Sequence, residues 1–255
     1  MPLLLLKSLG ARKRTRHSNR QLGYTLAFVA GAVNAGGFLA VHRYTSHMTG
    51  IVSMIADDLV LGELTMALAA GAFLAAFMAG AATTAILVNW ARSRRLHSEY
   101  ALPLLAEAVL LLAFGVLGPN LDLLVALFVP TTVTLLCFLM GLQNAVLTKI
   151  SRAEIRTTHM TGVVTDIGIE LGRAAYFSGT HHHHHGLPGA DPGRLRVLCA
   201  ILGSFLFGGV AGAAAFKAFG YLAVLPISAL LIGIAAAPLL ADGRRYSGTG
   251  PDAGE

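Results

Sequence analysis

Residues 43–58 read RYTSHMTGIVSMIADD, and residues 156–170 read RTTHMTGVVTDIGIE. Both copies carry His-Met-Thr-Gly. In each, an acid stands eleven residues after the histidine: Asp58 after His47, and Glu170 after His159. Upstream, GAVNA at 31–35 is matched by GLQNA at 141–145. Features repeated in the same order mark an internal duplication. In both copies polar and charged residues sit beside apolar runs, so the fold turns on what those runs are.

The chain has 255 residues, 55% of them hydrophobic and 13% charged. A soluble domain carries about 25% charged residues. Apolar runs of about 20 residues recur, long enough to cross a bilayer as helices. The composition therefore gives an all-α, polytopic membrane helix bundle. The long runs fall at 22–41, 64–90, 101–118, 122–148, 197–218 and 221–241. Pro130 inside the fourth is expected to kink it.

Two further runs, 50–61 and 162–172, are short and acidic. Twelve helical residues reach only about 18 Å against a hydrocarbon core of about 30 Å. They read as re-entrant or broken helices, although the second extends to a full span if Arg173 snorkels. Charge favours about six spans with both termini cytoplasmic. That arrangement leaves only Arg43 and Lys217, of 19 basic residues, outside, as the positive-inside rule expects. The organisation is then a basic tail (1–20), one membrane domain (21–241) and a polar tail (242–255). Repeat A covers about 21–118 and repeat B about 122–241, with a His-rich loop at 178–196.

Three full crossings per repeat would invert the second copy relative to the first. Two broken helices would then enter from opposite faces and meet near the midplane, an architecture of transporters and channels. Interrupted backbone at membrane depth is tolerated only where buried in protein or facing a wet cavity. On this reading Gly50 and Gly162 turn the backbone at the helix starts. Thr49 and Thr161 cap them, and the helix N-termini suit an anion or carboxylate. Eleven residues come round to within roughly 20° on a helix. His47 therefore shares a face with Asp58, and His159 with Glu170. Asp166 lies four residues before Glu170 on that face. Ionisable groups at membrane depth are functional candidates unless paired, and Arg43, Arg156 and Arg173 are the available partners. Asn34 and Asn144, interior to long helices, can bond across helices or touch a solute.

The other features are blander. Glu107 is a lone intramembrane carboxyl that could serve as a proton carrier. Gly71, Ala75 and Ala79, and Gly208 with Gly212, are small-residue faces for close packing; such faces also allow a homo-oligomer. Cys137 and Cys199 lack metal-ligand spacing and read as small core residues. The run His181–His185 reads as a low-complexity loop. No metal site and no cofactor is expected. Net charge is +6, but the basic residues flank apolar helices. The expected partners are the lipid bilayer and a small solute or ion, not nucleic acid.

The stretches NAGGFLAVHRYTSHMTGIVSMIADDL (34–59) and GLQNAVLTKISRAEIRTTHMTGVVTDIGIELG (141–172) are similar to the two halves of the YoaK family. These are bacterial inner-membrane proteins filed under a domain of unknown function. The resemblance covers roughly 21–240. It implies a multi-pass inner-membrane protein and brings no established substrate or catalytic residue. The His-rich loop and basic N-tail depart from the family pattern.

Three functions follow from these residues. A secondary transporter or channel would bind its solute where the HMTG helices cross. A membrane-embedded enzyme would use His and acid groups at one face, but no nucleophile motif or phosphate loop is present. A non-transporting scaffold subunit would have a dry, filled centre.

Overall fold

The computed structural model describes residues 16–41, 45–94, 96, 99–118, 125–150, 160–179 and 189–248. Among the described residues the regular structure is helical, with no strand. The elements are α1 (Arg16–Val41), α2 (Met48–Val60), α3 (Leu64–Ser93), α4 (Ala101–Leu117), α5 (Val125–Ile150), α6 (Met160–Gly179) and α7 (Pro192–Phe219). A 3₁₀ turn (Gly220–Val224) then leads into α8 (Leu225–Gly248).

Four segments are long and apolar enough to cross a membrane: Ser18–Leu39, Leu64–Ser93, Pro130–Lys149 and Pro192–Leu240. The last combines α7, the turn and α8. α4 is a shorter apolar helix. The expected short helix at 162–172 is in fact the 20-residue α6, about 30 Å long. Asp166, Glu170 and Arg173 make it more polar than the four. α2 remains short, at 13 residues.

Local chemistry sets several boundaries. α2 ends where Gly62 adopts φ 78°, a left-handed conformation glycine reaches without a Cβ clash. α7 begins at Pro192 instead of 197, because Asp191 caps it. The Asp191 carboxylate accepts from the Gly193 and Arg194 amides at 2.8 and 3.1 Å, and proline suits the first helical position. The last helix starts at 225 instead of 221, after Gly220 turns the chain at φ 58°. Pro130 sits in the second turn of α5, where it removes one hydrogen bond near the helix start.

The closest packing is made by four Phe-x-x-Gly sequences: Phe28–Gly31, Phe77–Gly80, Phe138–Gly141 and Phe205–Gly208. Each glycine presses on a phenylalanine carbonyl of another helix: Gly31 on Phe205, Gly208 on Phe28, Gly141 on Phe77, and Gly80 on Phe138. No side chain fits at any of the four, and the approach suits Cα–H···O contacts. α1 thus pairs with α7, and α3 with α5. Along α1 and α7 the contacts advance together, Phe28 with Gly208, Ala32 with Gly212 and Gly36 with Phe216, so these helices run parallel. α3 and α5 also run parallel, with Gly80 against Phe138 and the Thr84 hydroxyl donating to the Leu142 carbonyl at 2.9 Å. The end of α4 meets the 3₁₀ turn ahead of α8 in the opposite sense, Gly115 against Val224 and Gly118 against Tyr221.

Gly208 and Gly212 pack closely, as expected, but Gly71 has nothing within 4 Å of a would-be Cβ. Ala75 and Ala79 are exposed, so that small-residue face points outward. Cys137 is buried, whereas Cys199 is exposed and not a core residue.

α1 and α5 form the inner pair: 67% and 61% of their most apolar windows are buried, against 22% for α3. The outward residues of the peripheral helices are apolar, among them Leu68, Ile86, Leu206, Phe207 and Val210. That is the surface a lipid solvent favours.

Candidate functional site

The predicted site residues fall into separate groups. On α1, Asn34 is 7% exposed, and its Oδ1 accepts from the Ser46 hydroxyl at 2.9 Å. This bond ties the inner helix to the segment leading into α2. Beside it, Thr45 is fully buried and its hydroxyl has no hydrogen-bond partner among the described residues. His47 is exposed and occupies the cap position of α2 without a side-chain cap bond. Thr49 lies one turn-position inside and is not the cap, contrary to expectation. Gly50 is helical and does not have the positive φ a sharp turn needs.

In the second copy, His159 lies outside the described residues. Thr161 is the second residue of α6, not its cap; its carbonyl accepts from the Thr165 hydroxyl at 2.8 Å. Gly162 is likewise inside the helix. Asn144 is half-buried, and its carbonyl accepts from the Thr148 hydroxyl at 2.8 Å.

The acids of the two copies differ. Asp57 is exposed and Asp58 half-buried, and neither carboxylate has a bond to a described residue. The Asp58 carbonyl takes the Glu63 amide at 2.8 Å. Glu170 instead is the hub of a network. Its carboxylate is 1% exposed and lies 2.9 Å from Arg173 Nη1 and 3.6 Å from Arg194 Nη1. It also accepts the Asp191 amide at 2.9 Å. Asp166 pairs with the other side of Arg194, at 3.0 Å. Arg173 was among the partners the sequence offered; Arg194, Asp191, Thr45 and Ser46 were not foreseen. The Asp-Pro start of α7 was the available signal, because it places Arg194 in that helix's first turn.

The expected crossing of the HMTG helices is not formed among the described residues. α2 seats Met48, Ile51 and Ile55 on Ala70, Phe73, Val133 and Cys137 of α3 and α5. α6 seats Met160, Val163 and Ile167 on Ala27, Leu198 and Ile201 of α1 and α7. Each therefore packs on an outer and an inner helix, in separate clusters, because Ile51 and Val163 bury better against those helices than against each other's polar faces.

Two polar side chains lie deeper still. Glu107 on α4 and Gln143 on α5 are both fully buried. Neither carboxylate oxygen and neither amide atom has a hydrogen-bond partner among the described residues. A small pocket of about 10 Å³ lies between α1, α4 and α7 near Gly36, Phe114 and Phe216. It is apolar and has room for about one water. Among the described residues no group of three His, Cys, Asp or Glu could hold a metal.

Apolar helices of spanning length with polar groups set among them define a helical membrane protein. The chain belongs to the family described as Protein of unknown function (DUF1275), whose model matches residues 22–237. The resemblance carried by the HMTG elements is to this same family. No curated protein and no solved structure matches the chain.

Proposed function

We propose that the protein is a secondary transporter or channel for a small solute, built from two halves of opposite orientation. The observation that carries this reading is the exchanged packing. Each half's first helix pairs with the other half's third, through matching Phe-x-x-Gly contacts. The clusters that seat α2 and α6 match in the same way: Met48, Ile51, Ile55 and Phe77 correspond to Met160, Val163, Ile167 and Phe205. Gly37 meets Leu136 across α1 and α5. With Gly31 equivalent to Gly141, the counterpart of that contact would join Leu26 and Leu147, which are both members of one buried cluster. Such a pair would run in opposite senses along the two helices, which supports an axis in the membrane plane over one along the normal. Inverted halves are a transporter design.

Charge supports the same orientation. No Lys or Arg occurs between Arg43 and Arg92, which brackets the α2–α3 hairpin, whereas the α6–α7 hairpin carries Arg173, Arg194 and Arg196. The first hairpin would point outward and the second to the cytoplasm of a bacterial inner membrane. In a Cys137→Ser, Cys199→Ser background, a cysteine at Leu61 should react with an impermeant maleimide from outside, and one at Gly189 only from inside. Reaction of both from one side would remove the inversion.

The solute would pass where the first helices break. Asn34, His47, Thr49, Gly50 and Asp58 serve one half, and Asn144, His159, Thr161, Gly162, Asp166 and Glu170 the other. Flux into proteoliposomes across a panel of ions, amino acids and small polar metabolites tests this. One class should enter faster than into empty liposomes, with His47→Ala and His159→Ala each slowing it about tenfold, a loss of one hydrogen bond to solute. Full rates in both variants would take the HMTG elements out of the path. The packed apolar centre favours a second reading, a scaffold subunit that moves nothing. Absence of flux for every solute would select it.

A further inference from the structure

The bundle hides one acid that the ion pairs and helix caps leave unused. Glu107 stands on the buried face of α4 between Leu104, Ala108 and Leu111, with no exposure and no partner for either oxygen among the described residues. Gln143, flanked by Met140 and Leu147 in the same cluster, is equally buried and equally unpartnered. An orphaned polar group costs about 1–3 kcal/mol, and leucine at either position would avoid it. Two such groups in one apolar cluster mark a site left incomplete in this conformation.

α4 packs against α8, the 3₁₀ turn, α5 and α3. Among the described side chains, α8 carries no titratable group between Leu225 and Leu240, and the turn carries only Tyr221. α5 carries Cys137 and, at its end, Lys149; α3 carries only Arg92, at its end. Arg92 is engaged by Glu99 and the Tyr100 hydroxyl. Among the described side chains, no guanidinium or ammonium on these elements is therefore placed to neutralise Glu107. An uncompensated charge at membrane depth costs at least ~3 kcal/mol, so the closed bundle accepts this carboxyl only as the neutral acid. The acids of the HMTG copies are poor alternatives. Glu170 and Asp166 are held by arginines, and Asp57 is exposed.

We propose that Glu107 is an intramembrane proton-binding site, which holds a proton while the bundle is closed and releases it when the helices part. This rests on the transport reading for its purpose and names the coupling ion as a proton. Its test reads the carboxyl itself, so it stands or falls apart from solute flux.

The full chain in liposomes is treated with dicyclohexylcarbodiimide, which attacks protonated carboxyls in apolar surroundings, and the adduct is located by mass spectrometry. Labelling at Glu107 should fall roughly tenfold per pH unit above its midpoint, the slope of a single proton. In parallel, infrared spectra should show a protonated-acid carbonyl band that fades over the same pH range and is missing in Glu107→Gln. A band that is absent, or unchanged across the range, would overturn the proposal. So would protection of Glu107 from the reagent by sodium instead of by alkaline pH. A purely structural acid would give the unchanging band.

Discussion

Valine at Gly31, Gly80, Gly141 or Gly208 is expected to cost about 3 kcal/mol or more each, at or above the upper end for overpacking a core. A Cβ at these positions would collide with the carbonyl oxygens of Phe205, Phe138, Phe77 and Phe28 respectively. These are backbone atoms of regular helices and cannot rotate aside as a side-chain tip can. The helices must separate, and the many small dispersion gains along α1–α7 or α3–α5 go with them. The effect should come in matched pairs, Gly31 with Gly141 and Gly80 with Gly208, because each pair makes the same contact. Gly168, Gly172 and Gly203 are the controls. Nothing lies within 4 Å of a Cβ there, so alanine should be neutral or stabilise by up to ~1 kcal/mol through helix propensity. Thermal melting of the purified variants in detergent decides it. Valine tolerated at all four positions would mean that these helices do not approach as described.

The sequence announced the helices because apolar length is a local property. HMTG and the paired Asn34 and Asn144 also suggested a duplication, on which the proposed function builds. Partners were harder to read. Gly71, Ala75 and Ala79 have the spacing of a packing face, yet they point outward. The face used on α3 instead runs through Phe77 and Gly80. Small residues show which faces can approach, not which do. The more telling pattern was Phe-x-x-Gly, present four times; its meaning emerges only when a phenylalanine carbonyl on one helix is seen against a glycine on another. The HMTG helices were expected to meet because three crossings per repeat would bring them in from opposite faces. Their apolar residues Ile51 and Val163 instead dock them in separate clusters. Glu170 was read as a functional candidate unless paired; it is paired, and its partner Arg194 lies 24 residues further on and beyond a loop. No helical spacing rule reaches across such a gap.

Glu170→Ala should cost about 2–3 kcal/mol, while Asp58→Ala, at the matching position of the other half, should cost under about 0.5 kcal/mol. The asymmetry follows from the partners. The Glu170 carboxylate is 1% exposed and holds Arg173, Arg194 and the Asp191 amide; the Asp58 side chain holds no described residue. Removing one member of a fully buried pair costs about 3–5 kcal/mol. Here the guanidinium groups are 36% and 51% exposed and can rehydrate, so the figure is discounted. Glu170→Gln should fall between, since its carbonyl can keep the Asp191 amide but loses the charge. The damage should be local. Glu170 and Asp166 tie α6 to the start of α7, and the apolar seat of α6 is the small cluster around Val163. Amide exchange in Glu170→Ala should therefore quicken through 160–179 and leave the α1–α7 and α3–α5 pairs as protected as before. Unchanged exchange in α6, with an unchanged melting temperature, would show that the arginines are surface pairs of little weight and that the apolar seat alone holds the helix.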